Sequence, residues 1–255
     1  MKNVFIALLF SNFLAAQQSI KVTYEQVTIY HDNFFNNFQE HERETIKKIF
    51  TTPQQFELIN NGDYSTYESL KVKDKTILSN IPTTDEDINQ GTIVKIPKTY
   101  ILKNYSNNKS YTKTEIDEKE YYTERPFPED EFIFTSDEKV IDNYKCKLAY
   151  QLPKLKPTDT IKYWYTQEIP VFDGPYYTAK IPGLVIRYER KQRVIYATKI
   201  EFFDKKIILD KLDRKIPLIS DIEYEKIKEE DLKPKNYTDE NGAVHTREAR
   251  VYKGN

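Results

Sequence analysis

The 255-residue chain holds one cysteine, one methionine, one tryptophan and only six glycines. A lone cysteine, Cys146, excludes an intramolecular disulfide, so the fold must stand on its buried core. It also excludes the clustered thiolates of a structural zinc site, and His31, His41 and His245 share no HExxH or i, i+4 spacing. The sequence contains no GxSxG elbow, no phosphate-cradling glycine loop and no SxxK pair. Charge of one sign is missing as well. Lys and Arg number 39 against 40 Asp and Glu, interspersed along the chain, which lacks the concentrated basic footprint that nucleic-acid binding requires. No metal, cofactor or nucleic-acid partner is expected.

Long hydrophobic runs are absent beyond the first residues. Met1-Lys2-Asn3 makes a short basic start, and the apolar stretch Val4 to Ala16 ends in Leu14-Ala15-Ala16. These are the three regions of a secretory signal, and the run is shorter than the roughly 20 residues of a membrane-spanning helix. The reading is a signal peptide over 1–16 cleaved after Ala16, a β-rich domain over 17–233 and a polar tail over 234–255. No cysteine follows Ala16 to take a lipid, so the expected location is periplasmic or secreted, with no transmembrane segment after cleavage.

What the chain has in quantity is aromatic side chains: 20 Tyr and 14 Phe. Mean hydropathy is −0.73, a value lowered by tyrosine, which hydropathy scales count as polar although its ring buries a large apolar area. Alternating apolar and polar positions predict strands over 20–24 and 27–30, and a hairpin from Phe56–Ile59 through Asn60-Asn61-Gly62-Asp63 to Tyr64–Leu70. Residues 36–50 suit a short helix or a disordered insertion. Polar stretches 74–92 and 104–130 are expected as surface loops flanking a strand over 94–102. From Phe132 onward, strands are predicted at 132–134, 140–141, 144–150, 161–166, 184–188, 194–203 and 206–209. In 194–203, Val194, Tyr196, Thr198, Ile200 and Phe202 form the apolar face. A charged, helix-compatible segment covers 224–232, and a loose hairpin or disorder surrounds Asp239–Gly242. The fold class is therefore mainly β, β-rich α+β: a curved antiparallel sheet or open half-barrel with one or two short helices.

The most distinctive blocks are Asn143–Tyr150, Tyr163–Pro170, Gly174-Pro175-Tyr176-Tyr177 and Lys180-Ile181-Pro182-Gly183-Leu184-Val185. Their order and spacing resembles the GLPGLI family of exported Bacteroidota proteins, named for the hexapeptide that 180–185 occupies here. Lys180, Ile181 and Val185 depart from that motif, while Pro182, Gly183 and Leu184 keep it. The similarity extends to Phe56–Asn60 with Tyr67. It implies export and no established activity.

Physically, these blocks describe a scaffold. Pro182-Gly183 provides a tight turn feeding the strand from Leu184, and Gly174-Pro175 provides one for the preceding crossing. Cys146 belongs to an apolar strand face as a small buried residue, and glycine, proline and aromatic residues supply no acid, base or nucleophile. Trp164, Tyr165, Tyr176 and Tyr177 are the candidate ligand-binding residues, lining a sheet concavity that takes a hydrophobic ligand or polypeptide. The leading expectation is thus a non-enzymatic envelope protein. Two alternatives stand beside it. One is an interaction subunit of an outer-membrane or secretion assembly, paired by strand addition. The other is a hydrolase with acids such as Glu168 and Asp173 converging only in the fold. The acidic runs 85–87 and 129–131 read as solvated loops.

Overall fold

The computed structural model describes residues 19–38, 40–70, 75–79, 90–94, 98–127, 132–152, 159–210, 212–238 and 244–247. The predicted signal peptide and the acidic runs 85–87 and 129–131 lie outside these residues. The first half of the chain gives β1 (Ser19–Thr28), a 3-10 turn (Asp32–Asn37), α1 (Glu40–Thr51), β2 (Gln54–Asn60), β3 (Tyr64–Ser69), β4 (Lys75–Ser79), β5 (Gln90–Val94), β6 (Tyr100–Asn104), β7 (Lys109–Ile116) and β8 (Lys119–Pro126). The second half gives β9 (Phe132–Ile141), β10 (Tyr144–Gln151), β11 (Ile161–Thr166), β12 (Leu184–Arg190), β13 (Arg193–Phe203), β14 (Leu218–Ser220), α2 (Asp221–Leu232), β15 (Lys235–Thr238) and β16 (Val244–Arg247).

Twelve strands join one open sheet in the order β14-β8-β7-β6-β3-β2-β1-β13-β12-β11-β10-β9, while β4–β5 and β15–β16 form separate two-stranded ladders. Every pairing within the large sheet is antiparallel except β14 against β8. The protein is mainly β, as its alternating patterns predicted, and the sheet does not close into a barrel.

A single contact shows how strongly the sheet curls. Asp173 bridges to Leu184 at the start of β12 and also pairs with Lys103 on β6. Five ladder steps separate those strands, about 24 Å if the sheet were flat. Two side chains cannot span that distance, so the two wings face each other across a concave side. Three bulges contribute to the bend: on the β1–β13, β11–β12 and β9–β10 ladders.

The core fills this concavity. Tyr24, Phe56 and Tyr67 from the β1–β2–β3 wing are fully buried, with the Phe56 and Tyr67 rings stacked 5.1 Å apart. From the far wing come Tyr163, Tyr165, Ile186 and Tyr188. Between them runs the β11–β12 connection, residues 167–183, whose Ile169 and Ile181 are buried in the same cluster. Full burial of an isoleucine such as Ile181 contributes about 2–3 kcal/mol. This connection therefore lies across the sheet as its packing partner.

Several expectations need correction. The stretch 104–130 contains β7 and β8, and 74–92 contains β4 and part of β5. The β7–β8 turn uses Asp117 and Glu118, both at positive φ, where a glycine signal would be looked for. The inward positions of β7 and β8 include Ser110 and Thr123, both buried, so the apolar alternation that marks a strand is weak there. The strand expected over 94–102 is divided between β5 and β6. Residues 206–209 form no strand. Ile207 there binds side chains, its N–H donating to Ser19 Oγ and its carbonyl accepting from Asn61, while Ile208 is 93% exposed. The expected apolar face of 194–203 also fails. A bulge places Tyr24 opposite Ala197 and Thr23 opposite Lys199, so the inward set is Ile195 and Ala197, then Ile200.

Candidate functional site

Of the four aromatic residues expected to share a pocket, Tyr165 lies within the buried core cluster, and Trp164, Tyr176 and Tyr177 pack against it from different sides. Tyr163 and Tyr165 point into the concavity, so Trp164 between them points to the opposite face, where Lys139 Nζ sits 3.8 Å above its ring. Trp164 therefore does not line the concave side, contrary to expectation, because the two-residue period of β11 sends it outward. Tyr165 is 4% exposed and contacts the Phe134 ring. Tyr176 and Tyr177 belong to the 167–183 crossing. Tyr176 packs on Tyr67 and Tyr188, and its hydroxyl donates to Gln26 Oε1 and accepts from Arg193, while the Tyr177 hydroxyl meets Thr112 on β7. These rings hold the crossing against the sheet.

The motif residues serve the same end. Gly183 sits at φ +145°, and a Cβ there would lie 2.1 Å from the carbonyl oxygen of Thr166. Gly174 is needed for space: a Cβ would meet Val185 Cβ at 2.5 Å, and its φ is not in the positive range. The residue of that turn with positive φ is Tyr176, at 58°, a strained value for a bulky side chain. Pro175, Pro182 and Leu184 complete the same turns, with Pro175 and Leu184 buried and Pro182 half-buried. Cys146 is fully buried on β10, and burial pushes its thiol up to about 11, away from a reactive thiolate.

The two acids weighed as a hydrolytic pair have separate partners. Glu168 is exposed and accepts the N–H of Lys145, tying the β11 end to β10. Asp173 is fully buried. Its carboxylate pairs with Lys103, accepts from Asn60 Nδ2 at 2.9 Å and from the N–H of Gly174 at 2.8 Å. Lys103 also donates to the carbonyl of Gly174 at 2.8 Å, and Asn60 Nδ2 lies 3.3 Å from the Tyr105 hydroxyl. Desolvation lowers the pKa of Lys103, an effect that Asp173 opposes, while burial followed by the Asp173 charge raises that of Tyr105. Sequence reading missed this cluster. Lys103, Asn60 and Asp173 stand on three remote segments, and nothing local distinguishes Lys103 from the other lysines.

A second feature lies at the sheet's borders. The β14 edge is three residues long and runs directly into α2, which packs on β8 and β7. The β9 edge is ten residues long, and among the described residues no strand pairs with its outer side. It exposes Ile133, Phe134 and Val140, at 51%, 49% and 71%. Phe132 and Phe134 lean on Tyr163 and Tyr165, so the apolar edge continues into the core. Residues 135–137 bulge from the β10 ladder, and Asp137, Glu138 and Lys139 place charge in mid-strand. Among the described residues, two shallow depressions follow the polar surfaces of α2 and α1, away from the aromatic residues.

No family model matches the chain, and no curated protein does. Among solved structures, two crystal forms of PNGF-II are similar to it, with TM-scores of 0.56 and 0.53 at 18% identity. The likeness covers 87% of this chain and 35% of PNGF-II, so this chain spans about a third of that protein's length. At this identity the likeness speaks for the fold alone.

Proposed function

We propose that the protein acts outside the cytoplasm as a binding module, taking up an extended segment of another polypeptide by strand addition along β9. The observation that carries this reading is the contrast between the two sheet borders: one is short and covered by α2, the other long, apolar and, among the described residues, unpaired on its outer side. An unpaired edge offers a row of N–H and C=O groups that a partner strand satisfies, and the exposed apolar side chains beside it add specificity. The central bulge and its charges confine pairing to the two ends, around Phe132–Phe134 and Val140–Ile141, and guard against indiscriminate sheet growth. A partner segment with apolar residues at alternate positions fits this edge.

The geometry favours this edge over the concavity, because residues 167–183 of the chain itself already fill the concave side. Catalysis by Glu168 and Asp173 also receives less support, since each is engaged in a separate network. Export rests on the basic start and apolar run of residues 1–16, and none of the described helices is long and apolar enough to cross a membrane.

The test places a photo-crosslinking amino acid at Ile133 in one variant and at Glu225 on α2 in another, in cells. A defined partner segment cross-linked from position 133, absent from 225 and lost when Val140→Pro is added, is the expected result. Equal capture from both positions, or none from 133, would sink the proposal.

A further inference from the structure

The buried cluster beneath the crossing has the elements of a covalent staple. Lys103, Ser65 and Asn60 lie in register on three adjacent strands, Lys103 opposite Ser65 and Ser65 opposite Asn60. Two ladder steps put the Lys103 and Asn60 backbones about 10 Å apart. An extended lysine side chain joined through an amide to an asparagine side chain covers about 10 Å as well. Both side chains already point at one carboxylate: Lys103 Nζ contacts Asp173 Oδ1, and Asn60 Nδ2 donates to Asp173 Oδ2. The Asn60 carbonyl oxygen, Oδ1, accepts the Gly62 N–H at 2.8 Å.

We propose that Lys103 and Asn60 form an intramolecular isopeptide bond, with Asp173 carrying the proton. Lys103 first passes a proton to Asp173, which leaves a neutral amine beside a carboxylic acid. The amine nitrogen attacks Asn60 Cγ, and the developing negative charge on Oδ1 is held by the Gly62 N–H. Asp173 takes one proton from Nζ and gives one to Nδ2. The Cγ–Nδ2 bond breaks, ammonia leaves, and a secondary amide links Nζ to Cγ. No oxidant, metal or co-reactant is consumed.

The surroundings favour each stage. Lys103 and Asp173 have no exposed side-chain surface, and a dry site disfavours the separated charges while favouring the neutral pair that starts the reaction. Burial lowers the lysine pKa in the direction the amine needs. The fold supplies proximity, which makes an otherwise slow acyl transfer effectively unimolecular. The product staples β6 to β2 across β3, in a chain whose single cysteine denies it a disulfide.

Tryptic digestion of the full chain followed by mass spectrometry decides the matter. The expected product joins residues 49–71 to 99–109, uncut after Lys103 and lighter by about 17 Da than the two peptides together, the mass of one ammonia. Linear peptides alone, cut normally after Lys103, would overturn the proposal. So would a loss of about 18 Da linking Lys103 to Asp173, because the acceptor would then be the aspartate. Asp173→Asn is expected to abolish the cross-link, and a cross-linked Asp173→Asn protein would remove Asp173 from its role. The wild-type digest stands by itself if that variant fails to fold.

Discussion

Gly183 shows how one residue can fix the course of a long connection. Its φ of +145° is open to glycine and strained for other residues, and the space beside its Cα is taken by the Thr166 backbone. Gly183→Ala is expected to destabilise the fold by about 2–4 kcal/mol, the sum of backbone strain and a clash with main-chain atoms that cannot rotate away. Chemical denaturation checks this, and an unchanged midpoint would show that the turn relaxes freely. The sequence made this residue legible because proline followed by glycine has a narrow conformational meaning. Gly174 has its reason in a contact with Val185, which no local pattern shows. Lys103 was illegible for the same reason: its partner lies 70 residues away.

At the scale of elements, the hairpin announced by Asn61-Gly62 was readable and the one built on Asp117-Glu118 was not. The β2–β3 hairpin follows the sequence reading closely, and its register sets Glu57 directly opposite Glu68. Burial first, then the charges of Glu57 and Asp210, raise the pKa of Glu68. A carboxyl raised in the folded state costs nothing below its ordinary range and costs stability as pH rises through the folded value. Glu68→Gln is therefore expected to raise stability at pH 7 by about 0.5 kcal/mol, within the range of cross-strand charge pairs. The gain should fade as pH falls toward the ordinary glutamate range. Thermal melts of both proteins across that range check it, and a gain that persists in acid would contradict it. Bulges were the other blind spot. On β13 an extra residue moves the inward set from one parity to the other, so a strict alternation names the wrong face.

The whole molecule depends on the crossing that joins its wings. Asp173 holds Lys103 from β6, Asn60 from β2 and the turn at Gly174. Asp173→Ala leaves a buried lysine without its counter-charge and is expected to cost about 3–5 kcal/mol. Urea unfolding checks the magnitude, and a loss below 1 kcal/mol would mean that water reaches the site. The sequence by itself determined that this is a β-rich chain stabilised without disulfides and rich in tight turns, because strand alternation and turn chemistry are local and act over a few residues. Tertiary structure alone decided that the concave side is filled by residues 167–183, that Trp164 faces outward, and that Lys103, Asn60 and Asp173 meet. These outcomes depend on how far the sheet curls and where it bulges, which are properties of packing between segments distant in the chain.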